Sequence, residues 1–369
     1  MMIGILGGYG DVGSHATRQL LRLGLGPLRI GGRNADAGKR FASEFAEKRV
    51  HYQAVDFHDE ASLDRFVDGC GILVNCAGPS YAIVDRAARA AMQAGAEYVD
   101  AAGDDGLHAL LDEAEYRVRE RVAVLSAGLQ PGLTGLLPRW AAHRELGQVH
   151  SLISYFGLLD HFTEVAADDY LQGAAEEVSE SLAAWRGGRR SGVLTRQRDI
   201  DVPFFPGPAT VLPYLNTEGE RLAAALGLVR GDWYTVLTGQ HVLNAFDRVH
   251  SLERSGAIAA LCRASQLDLA GREPQVTLLV QLDGVQDGVP IIRTLVLRGR
   301  RNAELTGTLA ALATLAVTWD EVPAGRHFAA DVLEPVSTIS RLRESGAVTA
   351  LEVLQVPIDA LGVTQEGSL

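Results

Sequence analysis

The sequence predicts an α/β protein in which a doubly wound parallel sheet of the Rossmann type is followed by an inserted α+β domain with a mixed or antiparallel sheet. Three observations lead to this expectation. Short apolar segments alternate with helical segments from residue 2 to residue 126. A glycine-rich turn directly follows the first apolar segment. Two long alternating runs, 275–283 and 289–298, flank a turn over 284–288 and are typical of an antiparallel hairpin.

The first part of the chain contains six short apolar runs that end in glycine or in a polar or small residue. We predict strands over 2–6, 28–31, 51–55, 71–76, 97–100 and 122–126. Between them, apolar residues recur at helical spacing, which predicts helices over 14–23, 35–49, 60–68, 83–94 and 105–121. Because strands and helices alternate, consecutive strands are expected to run parallel.

The pattern changes after Gly128. The expected elements are a strand over 149–157, a long acidic helix over 164–185, a proline-rich irregular segment over 202–215, a helix over 217–226, a strand over 233–239 and helix through most of 241–270. A helix over 303–317, a loop over 323–328 and a short helix over 337–345 follow. We therefore expect a Rossmann domain over 1–128, an α+β substrate and dimerisation domain over 129–300, and a segment over 301–369 that returns to the first domain.

Charge and composition exclude several classes of function. Thirty-four basic residues against 46 acidic residues give a formal net charge of -12. Nucleic acids and anionic membranes require a basic face, so neither is an expected partner. The longest apolar runs fall short of the ~20 residues that span a bilayer. The three cysteines lie far apart, which argues against a disulfide framework and a zinc site. We expect a cytoplasmic protein with no metal.

Lysine is nearly absent from the chain. Lys39 and Lys48 are the only two lysines, and both lie in the first domain. Chemistry that depends on a lysine near the substrate, such as a Schiff base, is therefore not expected.

The glycine-rich turn predicts a dinucleotide site. It has the G-x-G-x-x-G pattern, which permits a tight turn, the approach of a pyrophosphate to the backbone, and close packing of the helix on the strand. The start of the following helix adds amide donors and the positive end of the helix dipole. The residues of this predicted site are Gly8, Tyr9, Gly10, Asp11, Val12 and Gly13.

The end of the second strand indicates which dinucleotide binds. NAD enzymes usually carry a carboxylate there, which accepts a hydrogen bond from the ribose 2′-OH. Here the chain reads Gly31-Gly32-Arg33-Asn34. The planar guanidinium of Arg33 suits a 2′-phosphate, so we predict NADP(H), with Arg33 and Asn34 in the site. The alternative is that Arg33 only ends the strand in solvent and that the cofactor is NAD.

Two further strand ends are expected to border the same cofactor, because ligands of open α/β sheets bind outside the carboxyl ends of the strands. Asp56 and Phe57 follow the third strand and are expected to frame the adenine. The small residues that follow the fourth strand let the backbone approach the nicotinamide ribose. They are Cys76, Ala77, Gly78 and Pro79. Since Cys76 has apolar neighbours and no adjacent base, we interpret it as a packed small residue rather than a nucleophile.

Several of these segments together resemble the saccharopine dehydrogenase-like oxidoreductases. They are 7–13, 32–34, 74–79, 94–100 and 128–134, with 324–328 and 331–335 near the end of the chain. The resemblance covers residues 1–140 and, less closely, 300–346. It implies an NADP-binding Rossmann domain, an inserted α+β domain and a C-terminal return.

The resemblance also implies a reaction. Members of the family reduce imines formed from amino and carbonyl compounds, so we expect NADPH-dependent reduction of a C=N bond in a small molecule, which carries a carboxylate if it derives from an amino or keto acid. Some relatives reduce C=C bonds in lipid or polyketide pathways, which leaves a C=C or C=O reductase as an alternative. A non-catalytic NADP-binding protein is the third. We expect a homodimer.

Three residues are candidates for the catalytic step. His161 follows the first strand of the second domain, in a segment that we expect to point at the nicotinamide, and imidazole titrates near neutrality. The alternative is a surface histidine at the start of a helix. Tyr155 lies on the same strand, and Arg139 is a candidate for holding a substrate carboxylate.

Other charged residues of the second domain have simpler explanations. A cluster of arginines offers further candidates for holding a substrate carboxylate: Arg186, Arg189, Arg190, Arg196 and Arg198. An exposed arginine hairpin is the alternative. The acidic residues Asp160, Glu164 and Asp168 recur every four residues, which favours one solvated face of a helix over a metal cluster.

Overall fold

The computed structural model describes residues 1–45, 49–175 and 179–362 and divides into two compact units. The first unit comprises residues 1–136 and 303–347. The second comprises residues 137–302 and the described residues from 348 onward.

The strands, in chain order, are β1 Met2–Leu6, β2 Leu28–Gly32, β3 Val50–Ala54, β4 Cys70–Asn75, β5 Glu97–Asp100, β6 Val122–Leu125, β7 Gln148–Leu159, β8 Ser179–Ser181, β9 Ala184–Trp185, β10 Arg189–Arg190, β11 Gln197–Ile200, β12 Ala209–Asn216, β13 Arg230–Leu237, β14 Gln275–Gln286, β15 Val289–Gly299, β16 Gly325–Phe328 and β17 Val348–Leu354.

The helices are α1 Asp11–Arg22, α2 Ala35–Ala42, α3 Glu60–Val67, α4 Ser80–Ile83, α5 Arg86–Ala94, α6 Asp105–Leu110, α7 Glu113–Val118, α8 Leu133–Glu145, α9 Glu164–Ala175, α10 Thr217–Leu226, α11 Gln240–Phe246, α12 Arg254–Leu269, α13 Asn302–Thr318, α14 Ala329–Val332 and α15 Pro335–Glu344. No helix in the described part of the chain is both long enough and apolar enough to cross a membrane.

The sheet of the first unit has seven strands in the order β16-β6-β5-β4-β1-β2-β3. Every neighbouring pair runs parallel. After β3 at one edge, the chain crosses back to β4 on the other side of β1, so the strand order reverses between β1 and β4. Ligands of such sheets bind at this reversal, outside the carboxyl ends of the strands. The predicted doubly wound parallel sheet is confirmed.

The core of the first unit is built from strands that are buried on both faces. Ile5, Ile30, Leu73 and Val74 are completely buried, as expected for parallel strands covered by helices. Helix α13 is apolar on all sides and almost wholly buried. At Gly307 of α13, a Cβ atom would lie 2.5 Å from Val12 O, so glycine permits this close approach to α1.

The second unit contains a mixed sheet, which also agrees with the predicted fold class. Its main path is β10-β9-β13-β7-β14-β15-β17, and β12 pairs with β8, β11 and β13. Strand β7 runs parallel to β13 and antiparallel to β14. The predicted hairpin is present as β14 and β15. Its two turn residues, Asp287 and Gly288, both have positive φ, which matches the right-handed twist of the strands.

Three expectations were wrong, each because a strand depends on a distant partner. The acidic helix ends at Ala175, and the chain from 179 to 185 forms β8 and β9 against β12 and β13. The irregular segment over 202–215 ends in β12, and the loop over 323–328 contains β16, which pairs with β6. These strands carry weak alternation, and strand preference depends strongly on tertiary context.

The C-terminal segment divides between the units. Residues 303–347 belong to the first unit, but β17 pairs with β15 through Leu351 opposite Leu297. The expectation that all of 301–369 returns to the first domain is therefore wrong for 348–354, and residues 363–369 lie outside the described residues.

Three helices of the first unit are shorter than predicted. The helix expected over 35–49 ends at Ala42, and residues 46–48, with Lys48, lie outside the described residues. The helix expected over 83–94 breaks after Ile83, and the one over 105–121 breaks after Leu110. Asp112 caps the resumed helix α7 by accepting from Ala114 N at 2.9 Å.

Burial predicts a stability contrast between two leucines. Leu73→Ala should lower the free energy of unfolding by about 2–5 kcal/mol, because the vacated volume in the core cannot close completely. Leu110, which is 57% exposed on α6, is the matched control, and Leu110→Ala should change it by less than about 0.5 kcal/mol. Thermal and urea unfolding measure both. Equal losses would contradict the placement of β4 in the core.

Candidate functional site

The turn between β1 and α1 is packed too closely for side chains at three of its glycines. Gly7 has φ +76, and a Cβ there would lie 2.8 Å from Ala77 N. A Cβ on Gly8 would lie 2.8 Å from Ile30 Cγ2. A Cβ on Gly13 would lie 2.7 Å from the carbonyl carbon of Gly7. The turn therefore brings α1, β2 and the loop after β4 against a single stretch of backbone.

Gly10 is less tightly enclosed than these glycines. It is exposed, and a Cβ there would meet only Gly7 O, at 3.2 Å, within 4 Å. Gly10 also caps α1 without a side-chain oxygen, and the start of a helix is a favourable place for an anion. This cradle fits the pyrophosphate of a dinucleotide.

The end of β2 carries cations and lacks a carboxylate. Arg33 is exposed and makes no hydrogen bond or ion pair to any described residue. Lys39 and Arg40, on α2, are likewise exposed, and their charged side chains have no such partner in the described ranges. The side chain of Asn34 accepts from Ala37 N at 3.0 Å and so caps α2. An unpaired guanidinium at this position fits the additional phosphate of NADP(H).

The two residues after β3 have different environments. Asp56 is partly exposed and accepts from His58 N at 3.0 Å. Phe57 is 7% exposed and packs into the core cluster of the first unit. Asp56 therefore offers surface to a ligand, whereas the Phe57 ring is mainly a core residue.

The loop after β4 is anchored by backbone and side-chain hydrogen bonds. Cys76 N donates to Leu6 O at 2.9 Å, and Ala77 N donates to Asn75 Oδ1 at 3.1 Å. Burial, with Asp100 nearby, raises the pKa of the Cys76 thiol. A thiol held in its neutral form is a poor nucleophile, which agrees with the interpretation of Cys76 as a packed residue. Ala77, Gly78 and Pro79 are half-buried beside it.

A buried polar network lies beneath this loop, and no sequence argument gave its members a role. Asp100, at the end of β5, accepts from Asn75 Nδ2 at 3.0 Å, from Ala102 N at 2.9 Å and from Gly103 N at 2.8 Å. The Tyr98 hydroxyl also donates to it. Burial and Asp100 hold the Tyr98 pKa well above its usual value. The Asp100 carboxylate thus fixes the loops after β4 and β5. The sequence feature that could have indicated this network is the polar residue that ends each of the two apolar strands, Asn75 and Asp100.

In the second unit, a carboxylate orients His161. Asp160 is 8% exposed. Its Oδ1 accepts from His161 N at 2.9 Å and lies 3.0 Å from His161 Nδ1, while its Oδ2 accepts from Asn302 N at 3.0 Å. Arg301 Nη2 lies 3.2 Å from each ring nitrogen of His161. Asp160 is therefore a buried partner of His161 and does not share a helix face with Glu164 and Asp168.

Strand pairing explains why Arg301 reaches His161. Strand β14 lies between β7 and β15, with Gln275 opposite Leu159 and Val276 opposite Gly299. Because β7 and β15 are both antiparallel to β14, the residues that follow these two strands lie at the same end of the sheet. No pattern in the sequence indicated this contact, because it depends on the register of three strands.

Two of the three predicted catalytic residues, Tyr155 and His161, lie apart along β7 and the residues that follow it. The Tyr155 ring stacks on Tyr234 at 4.9 Å, and burial, with Asp232 nearby, raises its pKa. Tyr155 and the end of β7 at Leu159 are four strand residues apart, roughly 13 Å, so Tyr155 and His161 cannot contact one atom. Arg139 lies partly buried on α8.

Most of the arginines between 186 and 198 are used in pairs within the second unit. Arg186 Nη1 lies 2.6 Å from the buried Asp232, and Arg189 binds Glu220 through two hydrogen bonds of 2.8 and 2.7 Å. Arg196 lies 3.6 Å from Asp247. Arg190 and Arg198 are exposed. The pairing argues against an anion site at Arg186 and Arg189, whereas Arg196 Nε and Nη2 are buried without a hydrogen-bond partner in the described residues. No cluster of three potential metal ligands occurs within residues 1–45, 49–175 and 179–362.

Comparison with known proteins agrees with the geometry of the first unit. Residues 3–136 match the family model of the saccharopine dehydrogenase NADP binding domain. The resemblance to the saccharopine dehydrogenase-like oxidoreductases is confirmed. The match spans the glycine turn, the end of β2 and the Asp100 network, and it indicates NADP(H) as the cofactor of an NAD(P)-dependent oxidoreductase.

Solved structures extend the likeness to the whole fold. The chain is similar to apo histidine-tagged saccharopine dehydrogenase (L-Glu forming) from Saccharomyces cerevisiae, with a TM-score of 0.67 and 14% identity over 96% of this chain and 99% of that one. A short-chain dehydrogenase/reductase from Veillonella parvula in complex with NADP and a serine dehydrogenase from Escherichia coli share 20% and 16% identity. They overlap 27% of this chain and 46% and 60% of their own, at TM-scores of 0.24, so no argument rests on them. No curated protein matches the chain.

The unpaired Arg33 predicts a selective loss of affinity. Arg33→Ala should weaken NADPH binding by about 1.5–3 kcal/mol, the range for a hydrogen bond to a charged group, and leave NADH binding nearly unchanged. Calorimetric titration of both dinucleotides measures this. Arg22→Ala is the control, because Arg22 lies in the last turn of α1. Equal losses for NADPH and NADH would overturn the placement of the 2′-phosphate at Arg33.

The glycine turn predicts opposite outcomes for two substitutions. Gly10→Val should abolish NADPH binding and lower the melting temperature less than Gly13→Ala does, because its Cβ would press only on Gly7 O, at 3.2 Å. Gly13→Ala should lower the melting temperature without ligand, because its Cβ meets the backbone of Gly7. Melting curves with and without NADPH separate the two effects. A Gly10→Val variant that NADPH still stabilises as strongly as the parent would contradict the cradle.

Proposed function

We propose that this oxidoreductase reduces the C=N bond of an imine formed from a small amino compound and a carbonyl compound. The observation that carries the proposal is the arrangement of Asp160, His161 and Arg301. Bound NADPH would supply the hydride to the imine carbon, and the protein has to supply binding, orientation and a proton to the nitrogen. The family match over residues 3–136 supports the cofactor half of this proposal.

The cofactor would contact the residues at the switch point of the first sheet. We propose that the pyrophosphate binds the turn from Gly8 to Gly13 and the first amides of α1, and that the 2′-phosphate binds Arg33 near Asn34. Asp56 would border the adenosine, with Phe57 behind it in the core. The loop from Cys76 to Pro79, held by Asn75, would border the nicotinamide ribose.

His161 is suited to donate the proton to the imine nitrogen. The contact of Nδ1 with Asp160 favours the tautomer in which Nδ1 carries a proton and donates to the carboxylate. In that tautomer Nε2 carries the lone pair and lies 3.2 Å from Arg301 Nη2, and a protonated Nε2 would be the acid that serves the imine nitrogen. The side chain of His161 is 35% exposed, whereas that of Asp160 is 5% exposed. The pair thus combines a buried orienting group with an accessible acid.

The position of Arg301 favours a substrate that carries a carboxylate. Its guanidinium is about one-third exposed and stands against the imidazole, so a carboxylate bound by its planar fork would lie next to the proton donor. Arg139 on α8 is a second candidate for this function. Tyr155 is proposed only to shape the surroundings, because its stacked ring is distant from His161.

The quaternary structure and location belong to the same proposal. We propose a cytoplasmic homodimer. Three free cysteines support a reducing compartment. The edge strand β17, which pairs on one side with β15, offers backbone groups that a second copy can bind. Light scattering at several concentrations tests the dimer.

The proton-donor assignment predicts a loss of turnover without a loss of cofactor affinity. With a substrate found by screening NADPH oxidation against paired amines and keto acids, His161→Ala should lower kcat about a hundredfold or more. His161→Gln should fail similarly, because glutamine keeps a hydrogen bond but does not titrate. The dissociation constant of NADPH should stay at its parent value.

His150 provides the matched control for this experiment. It is an exposed histidine on β7, the strand that precedes His161, and His150→Ala should retain parent turnover. If His161→Ala also retains it, the histidine has a structural role. Oxidation of NADPH by enones or ketones but by no amine and keto-acid pair would replace the imine with a C=C or C=O substrate and leave the cofactor assignment intact.

A further inference from the structure

The last residue of β2 is covered by the side chain of Tyr9. A Cβ atom on Gly32 would lie 2.7 Å from both Cε1 and Cζ of Tyr9 and would also meet its hydroxyl oxygen. Real Cβ atoms essentially never approach other heavy atoms this closely. Gly32 therefore cannot acquire any side chain while Tyr9 keeps its position.

The Tyr9 ring is held in place by two neighbours. Its hydroxyl accepts from Asn34 N at 2.8 Å, and its edge packs on Tyr52 with ring centroids 6.1 Å apart. The Tyr52 hydroxyl donates to Gly32 O at 2.9 Å, and Asn34 caps α2. Moving the Tyr9 ring would break its bond to Asn34 and its contact with Tyr52, so these two contacts oppose its displacement.

Position 32 lies where dinucleotide-binding sheets carry the residue that distinguishes NAD from NADP. In dinucleotide-binding sheets, the carboxylate that accepts from the ribose 2′-OH of NAD stands about 20 residues after the glycine turn, at the end of the second strand. Gly32 ends β2, and the exposed Arg33 follows it. A carboxylate at position 32 requires a Cβ in the space that Tyr9 occupies.

We propose that Tyr9 is a specificity-determining residue, which keeps the protein an NADP(H) enzyme by denying position 32 the side chain that NAD recognition requires. Arg33 attracts the 2′-phosphate, and Tyr9 prevents the competing arrangement. Specificity here combines an attractive group with a steric exclusion. The inference concerns the dinucleotide alone and does not depend on the substrate.

The decisive experiment places an aspartate at position 32 with and without Tyr9, and measures the dissociation constants of NADPH and NADH by calorimetry. Gly32→Asp alone should weaken NADPH binding at least about tenfold through charge repulsion, and should not strengthen NADH binding. Gly32→Asp with Tyr9→Ala should bind NADH about tenfold more tightly than Gly32→Asp alone, the gain from one charge-assisted hydrogen bond. Gly32→Asp with Tyr52→Phe is the matched control and should show no such gain, because Tyr52 does not occupy the Cβ space.

A measurement without any cofactor tests the same contact. Gly32→Ala should lower the melting temperature of the parent, and should lower it much less when Tyr9→Ala is also present, since a direct contact makes the two substitutions non-additive. Equal losses in both backgrounds would overturn the proposal. So would NADH binding that improves as much in Gly32→Asp alone as in the variant with Tyr9→Ala, or an NADH gain produced equally by Tyr52→Phe.

Discussion

The contact of backbone on backbone at the turn between β1 and α1 is the constraint on which the rest of the first unit depends. Gly13 lies against Gly7, and Gly7 lies against the loop that follows β4. Side chains at these positions would separate a helix, two strands and a loop at once. The same close packing leaves Gly10 exposed at the start of α1, so one geometric requirement explains both the fold at this point and the capacity to hold a pyrophosphate.

Two buried carboxylates, those of Asp100 and Asp160, hold the loops that carry the candidate site residues. Asp100 collects four donors from β4, β5 and the turn after β5. Asp160 binds the backbone of His161 and of Asn302 and orients the imidazole. A buried charge is tolerated only when hydrogen bonds compensate its lost hydration. Each carboxylate therefore forces the loops around it into one arrangement, and these loops carry the residues assigned to the cofactor and to proton transfer.

The distribution of charge distinguishes the cations that hold the protein together from those left for a ligand. Arg186 and Arg189 bind carboxylates within the second unit. Arg33 binds no other described residue. In a chain with a net charge of -12, an unpaired arginine at the end of β2 stands out from an acidic background. Its exposure and the exclusion of side chains at Gly32 suit it to recognise a phosphate.

The sequence by itself determined the parallel sheet, the glycine turn, the absence of a carboxylate at the end of β2 and the hairpin of β14 and β15. These features depend on local periodicity and on residues whose backbone requirements are specific, such as Gly13 and Gly288. Tertiary structure alone decided the strands β8, β16 and β17, because each is defined by hydrogen bonds to a distant partner. It also decided the contacts of Asp100 with Asn75, of Arg301 with His161 and of Tyr9 with Gly32, because side chains far apart in sequence meet only through strand order and register, which residue spacing along the chain does not encode.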